Sequence, residues 1–224
     1  MKHFKPLLFA TFTLLLAAMA ARADVQITVE HNSNADATAD FKFKKIPSPT
    51  METAARKATV SIVSGKKDGN GGPVTLLTDG KLPTDEDEPA ANFFFNQGSK
   101  GGRVLMDLGK VIEIKQVNTY SWHPNTRGPQ VYKLYVSDGT AKDFSAQPKA
   151  GTDPATVGWK LLATVDTRPK AGEEEGGQYG VSIADSKAAS LGKYRYLLFD
   201  MSRTEDVDPF GNTFYSEITV VEKK

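Results

Sequence analysis

Short runs of β-branched and aromatic residues recur along this chain, each closed by Gly, Pro, Asn or Asp, and this rhythm constrains the fold more than any other feature. The runs fall at 25–30, 59–63, 92–95, 103–107, 113–120, 130–137, 160–165, 194–200 and 214–221. Tyr132, Leu134 and Val136 share one face of an alternating run, as do Ile218 and Val220. Tyr194-Arg195-Tyr196-Leu197-Leu198-Phe199 is closer to continuously apolar, the pattern of a strand covered on both faces. One segment starts like a helix, with Ser48 as N-cap, Pro49 at the first helical position and Thr50 to Lys57 continuing. Many short strands with so little helix specify an all-β sandwich. The glycine-rich stretches 65–73 and 172–177 read as solvated loops; neither joins a strand to a helix, as a phosphate loop would.

The first residues read as a targeting segment. Lys2, His3 and Lys5 precede the apolar run from Leu7 to Met19, and Ala21-Arg22-Ala23 places small residues where a signal peptidase reads. The run is shorter than the roughly 20 residues of a spanning helix. Cleavage before Asp24 is expected, giving an exported protein with a leader at 1–23. An N-terminal extension at 24–57 follows, either an edge strand and short helix or a loosely attached arm, and the sandwich domain occupies 58–224. Loss of Lys2, Lys5 and Arg22 takes the formal charge from +1 to about −2, which argues against a nucleic-acid partner. With no cysteine, disulfides, thiolate metal sites and thiol nucleophiles are excluded.

An ordered set of motifs runs from Thr59 onward. It comprises Leu77-Thr78-Asp79-Gly80, Val104-Leu105-Met106-Asp107-Leu108-Gly109-Lys110, Tyr132-Lys133-Leu134-Tyr135-Val136-Ser137-Asp138-Gly139 with Trp159 downstream, Lys193-Tyr194-Arg195-Tyr196-Leu197, and Ser216-Glu217-Ile218-Thr219-Val220. Together these resemble the discoidin superfamily, which includes coagulation-factor type C domains and galactose-binding carbohydrate-binding modules. The resemblance implies an eight-stranded, jelly-roll-like antiparallel sandwich that binds rather than catalyses. The chain lacks the disulfide of the coagulation-factor domains, a departure that favours the carbohydrate branch over the phospholipid branch.

The segment Ser121-Trp122-His123-Pro124-Asn125-Thr126-Arg127-Gly128-Pro129 connects two strands. A connector that only turned the chain would be small and polar. This one carries an indole, an imidazole, an amide and a guanidinium, with two prolines stiffening it. Sugar hydroxyls need donors and acceptors: Arg127 donates only, while neutral His123 and Asn125 do both. On the resemblance, His123, Arg127 and Asn125 recognise hydroxyls. Trp122 is either the ring on which the sugar stacks or a core residue. In the connection before the last strand, Phe210 is a candidate aromatic face, Asn212 a candidate hydroxyl contact, and Phe214 a core residue. The resemblance further implies a structural calcium ion on Asp79 and Glu217, with backbone oxygens of Lys81 and Thr84; the acidic run 85–88 reads as a solvated face.

No H-E-x-x-H or G-x-S-x-G pattern is present, and nothing singles out a catalytic carboxylate pair. The expected function is therefore non-catalytic carbohydrate recognition through loops at one end of the sandwich. The alternatives are an adhesion or scaffold module that binds protein or matrix and, less favoured, a phospholipid-surface binder. A single sugar unit would be held weakly, near millimolar or about −4 kcal/mol, leaving tight glycan binding to avidity.

Overall fold

In a computed structural model of the protein, residues 23–187, 189–207 and 209–224 are described. The expected leader lies, but for Ala23, outside them. Among the described residues eight strands form: β1 (Val25–Asn32), β2 (Thr59–Ser64), β3 (Gly101–His123), β4 (Val131–Ser137), β5 (Lys160–Asp166), β6 (Gly177–Asp185), β7 (Gly192–Ser202) and β8 (Tyr215–Glu222). All pairings are antiparallel. No helix among the described residues is long and apolar enough to cross a membrane.

The 23-residue β3 organises the sandwich. Its first half pairs with β2 and β7, its second with β6 and β8. The register breaks between Asp107 and Ile112, where Gly109 takes φ of 78° and donates its amide to the Asp107 carboxylate. Two expected runs, 103–107 and 113–120, are thus one strand bent through a bulge. One layer is β2-β3-β7-β4-β5; the other is β8-β3-β6-β1. Between them pack Val104, Met106, Leu134, Val136, Phe199, Val117, Val181, Ile183, Ile218 and Val220, all buried. The period of two puts Val117, Thr119 and Ser121 on this inner side of β3, and Tyr120 and Trp122 on the outer side.

The outer side of the second layer is covered by residues 33–57. Phe43 faces Tyr120, whose hydroxyl donates to the Pro47 carbonyl, and the Glu30 carboxylate accepts the amides of Lys44, Lys45 and Ile46. The helix expected from Ser48 does not form. A single 3-10 turn at Ala54–Lys57 takes its place, capped by Thr53, whose hydroxyl accepts from the Ala55 amide. That hydroxyl also exchanges bonds with the Val220 backbone, so β8 pins the segment and only Ala55 is buried within the turn.

Residues 92–95 are not a strand; Phe93 bridges Tyr215 and Phe95 bridges Lys67, one bridge on each side. Strand β6 was not expected from the sequence. Gly177, Gly180 and Ser182 dilute its apolar signal, and Gly180 is needed because a Cβ there would lie 2.9 Å from the Phe43 ring.

Candidate functional site

The connector from His123 to Pro129 is held at its base by a buried polar cluster. Thr119 Oγ1 donates to Gln130 Oε1, Gln130 Nε2 donates to Ser121 Oγ at 3.0 Å, and Ser121 Oγ donates to the Gly128 carbonyl at 2.6 Å. Gln130 is fully buried, so these bonds set the shape of the turn from inside the sandwich. Gly128 makes the turn possible, since a Cβ there would meet the His123 carbonyl and the Tyr179 ring, each at 3.1 Å.

On this frame His123 and Arg127 converge. The imidazole meets the Phe214 ring edge-on, with centroids 4.5 Å apart, and the guanidinium lies 4.0 Å from the centroid of the same ring and 4.5 Å from that of Phe94. Phe94 and Phe214 stack 4.1 Å apart and are buried. Arg127 Nε donates to the Asn212 carbonyl at 3.1 Å. His123 Nδ1 accepts the Asn125 amide at 3.3 Å, which assigns the ring proton of the neutral form to Nε2. That nitrogen is 4.0 Å from Asp87 Oδ1, on an exposed carboxylate. Burial first, and the Arg127 charge second, push the imidazole down to about 4, so His123 is neutral near pH 7.

The loop leading to β8 forms the neighbouring wall. Thr204 Oγ1 donates to the carbonyls of Thr126 and Gly211, and the Phe214 amide donates to the Arg127 carbonyl. Phe210, 45% exposed, projects from this loop. Asn125 is exposed at the tip of the turn.

Two expectations need correction. Trp122 is 5% exposed and lies on the outer side of β3, where it lines a small cleft with Phe41 and Phe43, so the structure takes the core alternative. Its Nε1 has no hydrogen-bond partner among the described residues. Asn212 is likewise buried: its Nδ2 donates to the Asn96 and Ser99 carbonyls and to Ser99 Oγ, and only its backbone oxygen reaches the cluster. Conversely, Asp87 and Phe94 belong to the cluster and were not expected. The alternation of Phe93, Phe94 and Phe95, with the outer two in the core, is the signal that sets Phe94 apart.

The second expected site centres on Glu217, which is fully buried on β8. Its Oε2 accepts the Gly80 amide at 3.0 Å, while Oε1 is buried and without a hydrogen-bond partner among the described residues. Burial, reinforced by the Asp79 charge, pushes its carboxyl up to about 8. Asp79 Oδ1 accepts the Lys81 amide, and the Thr84 amide donates to Glu88. An orphaned carboxylate oxygen beside a second carboxylate is the chemistry of a hard cation's donor set. No group of three or more His, Asp or Glu side chains lies together among the described residues, so any such ion would need backbone oxygens as well.

No protein-family model matches the chain, and no curated protein matches it. Solved structures similar to it include a CBM32 domain of a GH89 protein from Clostridium perfringens, at 18% identity and a TM-score of 0.44, over 77% of this chain and all of that one. A Ruminococcus gnavus GH29 fucosidase in complex with fucose aligns at 19% identity and a TM-score of 0.49, over 79% of this chain and 28% of that one. The family 32 module of C. perfringens NanJ in complex with galactose aligns at 12% identity and a TM-score of 0.48, over 75% of this chain and 96% of that one. The similarity to these structures is one of backbone course.

Proposed function

We propose that the protein is an exported, non-catalytic module that binds carbohydrate at the rim formed by His123, Arg127, Asp87 and the Phe210 loop. The observation that carries this reading is the convergence of the imidazole and the guanidinium on one phenyl ring, both supplied by a single braced turn. A neutral Nε2–H and a guanidinium fork donate; the Asp87 carboxylate accepts. Neighbouring hydroxyls of a pyranose ask for that mixture, and the half-exposed Phe210 offers an apolar face to the ring's C–H side. The prebuilt turn lowers the ordering cost of binding.

A calcium ion is the second part of the proposal. Asp79 and Glu217 would hold it, with the backbone oxygens of Lys81 and Thr84 completing the shell. Its charge would offset the cost of burying the Glu217 carboxylate and tie the 79–88 loop to β8.

A glycan array probed with and without calcium tests the binding reading. Arg127→Lys keeps the charge and loses the two-pronged donor fork, and His123→Gln keeps a polar side chain of similar reach. Each is expected to weaken array binding at least tenfold, about 1.4 kcal/mol, at a temperature well below the melting point of each variant, so that lost binding is not lost folding. Unchanged glycan binding in both variants would remove these residues from recognition.

A further inference from the structure

We infer that processing between Ala23 and Asp24 creates an α-ammonium group that is clamped by the Asp185 carboxylate, so that the cleaved N-terminus locks the first strand. This rests on the export part of the proposed function and is independent of what the rim binds. The Asp24 nitrogen lies 2.9 Å from Asp185 Oδ2. The other oxygen of Asp185 accepts the amides of Lys187 and Ala189. Asp24 is held from both ends: the Ser186 amide donates to its carbonyl at 2.8 Å, and Ser186 Oγ donates to its Oδ2 at 2.8 Å. These bonds sit at the very start of β1, which ends the strand order and pairs with β6 alone.

Hydrolysis by a signal-peptidase-class enzyme adds one water across the Ala23–Asp24 bond. The C–N bond breaks, the hydroxyl oxygen goes to the Ala23 carbonyl carbon, and the freed nitrogen, protonated, becomes the ammonium. A single amide donor to an ionised carboxylate is thereby replaced by a cation with three donors at the same place, so a full ion pair is added to a bond already assisted by the Asp185 charge. The other charged groups nearby are the Asp24 carboxylate itself, Lys187 on the turn after β6, whose charge acts on the same Asp185 carboxylate, and Lys160 on β5, which lines a cleft of about 220 Å³ with Ala23, Val25, Leu161 and Leu162.

Pairing raises the amine above its usual value of roughly 7.7–8.0, so the stabilisation is complete below that range and disappears as pH rises through the raised value. The full chain is to be expressed with its own leader in a secreting bacterial host and the exported fraction analysed by intact mass and N-terminal sequencing. Selective acetylation of the α-amine, and a cytoplasmic form carrying an initiator methionine before Asp24, each displace the charge without touching Asp185. The expected result is a chain starting at Asp24 that melts about 2–4 °C above either altered form at pH 6–7, with the gap closing above pH 9. Export with a different first residue, or acetylation without effect on melting, overturns the clamp while export stands. A retained leader overturns both. Asp185→Asn should abolish the difference between free and acetylated chains.

Discussion

Arg103→Ala is expected to lower the melting temperature by about 10 °C, the largest stability loss from any single side chain outside the apolar core. Arg103 is 8% exposed and its guanidinium makes four bonds. Nη1 donates to the carbonyls of Pro148, Lys149 and Thr152, and Nη2 donates to Asp200 Oδ2 at 3.0 Å. Truncation leaves a partly buried carboxylate and three carbonyls without their donor. Breaking a buried pair in this way costs about 3–5 kcal/mol. For a domain of this size that corresponds to roughly 2–4 °C per kcal/mol. The same bonds tie the 138–158 connection to β3, so limited proteolysis of the variant should cut within that connection first. Arg103→Lys, which keeps the charge but reaches fewer acceptors, should recover part of the loss; differential scanning calorimetry on the three proteins checks both statements.

Calcium should raise the wild-type melting temperature by about 5–10 °C when present at roughly a hundredfold excess over its dissociation constant, a stabilisation of about 2.7 kcal/mol. Glu217→Gln should remove the calcium response altogether. In chelator near pH 7 the variant should melt close to or above the wild type, because burial pushes the Glu217 carboxyl up to about 8 and so leaves it largely protonated, and the neutral amide has the same shape. That inversion separates an ion site from a purely structural role, in which the variant would be the weaker protein under both conditions. Melting curves that ignore calcium in the wild type would eliminate the ion.

The strand pattern was legible wherever side chains alternate and are large. β4 and β8 stand out for that reason, since Tyr132, Leu134 and Val136 or Ile218 and Val220 leave little ambiguity, while β7 stands out by its nearly continuous apolar run from Tyr194 to Phe199. β6 was not, because Gly177 and Gly180 meet steric demands that only the folded partners reveal, the second being the Phe43 ring of the extension. The division of β3 into two runs came from reading Gly109 as an end, whereas in the fold it is the bend by which one strand serves both layers. For the site, local sequence brought His123 and Arg127 together, because they share one turn. It did not reveal that Asn212 turns its side chain inward, or that Phe94 and Asp87 join the cluster from the segment 87–94; those contacts are made across more than thirty residues. Trp122 shows the limit of residue type as evidence. An indole next to a recognition turn suggests a stacking surface, yet alternation along β3 puts it under the extension.

The most direct test of the central claim is to follow backbone amide shifts of the isotope-labelled protein while galactose, N-acetylgalactosamine and fucose are titrated separately into the millimolar range. At least one sugar should produce saturable shifts concentrated at residues 123–128, at Asp87 and in the loop bearing Phe210, and these shifts should be lost in Arg127→Lys. Saturable shifts concentrated elsewhere, for instance along β1 and the β5–β6 connection around His31 and Arg168, or no shifts at the rim with any of the three, would contradict it.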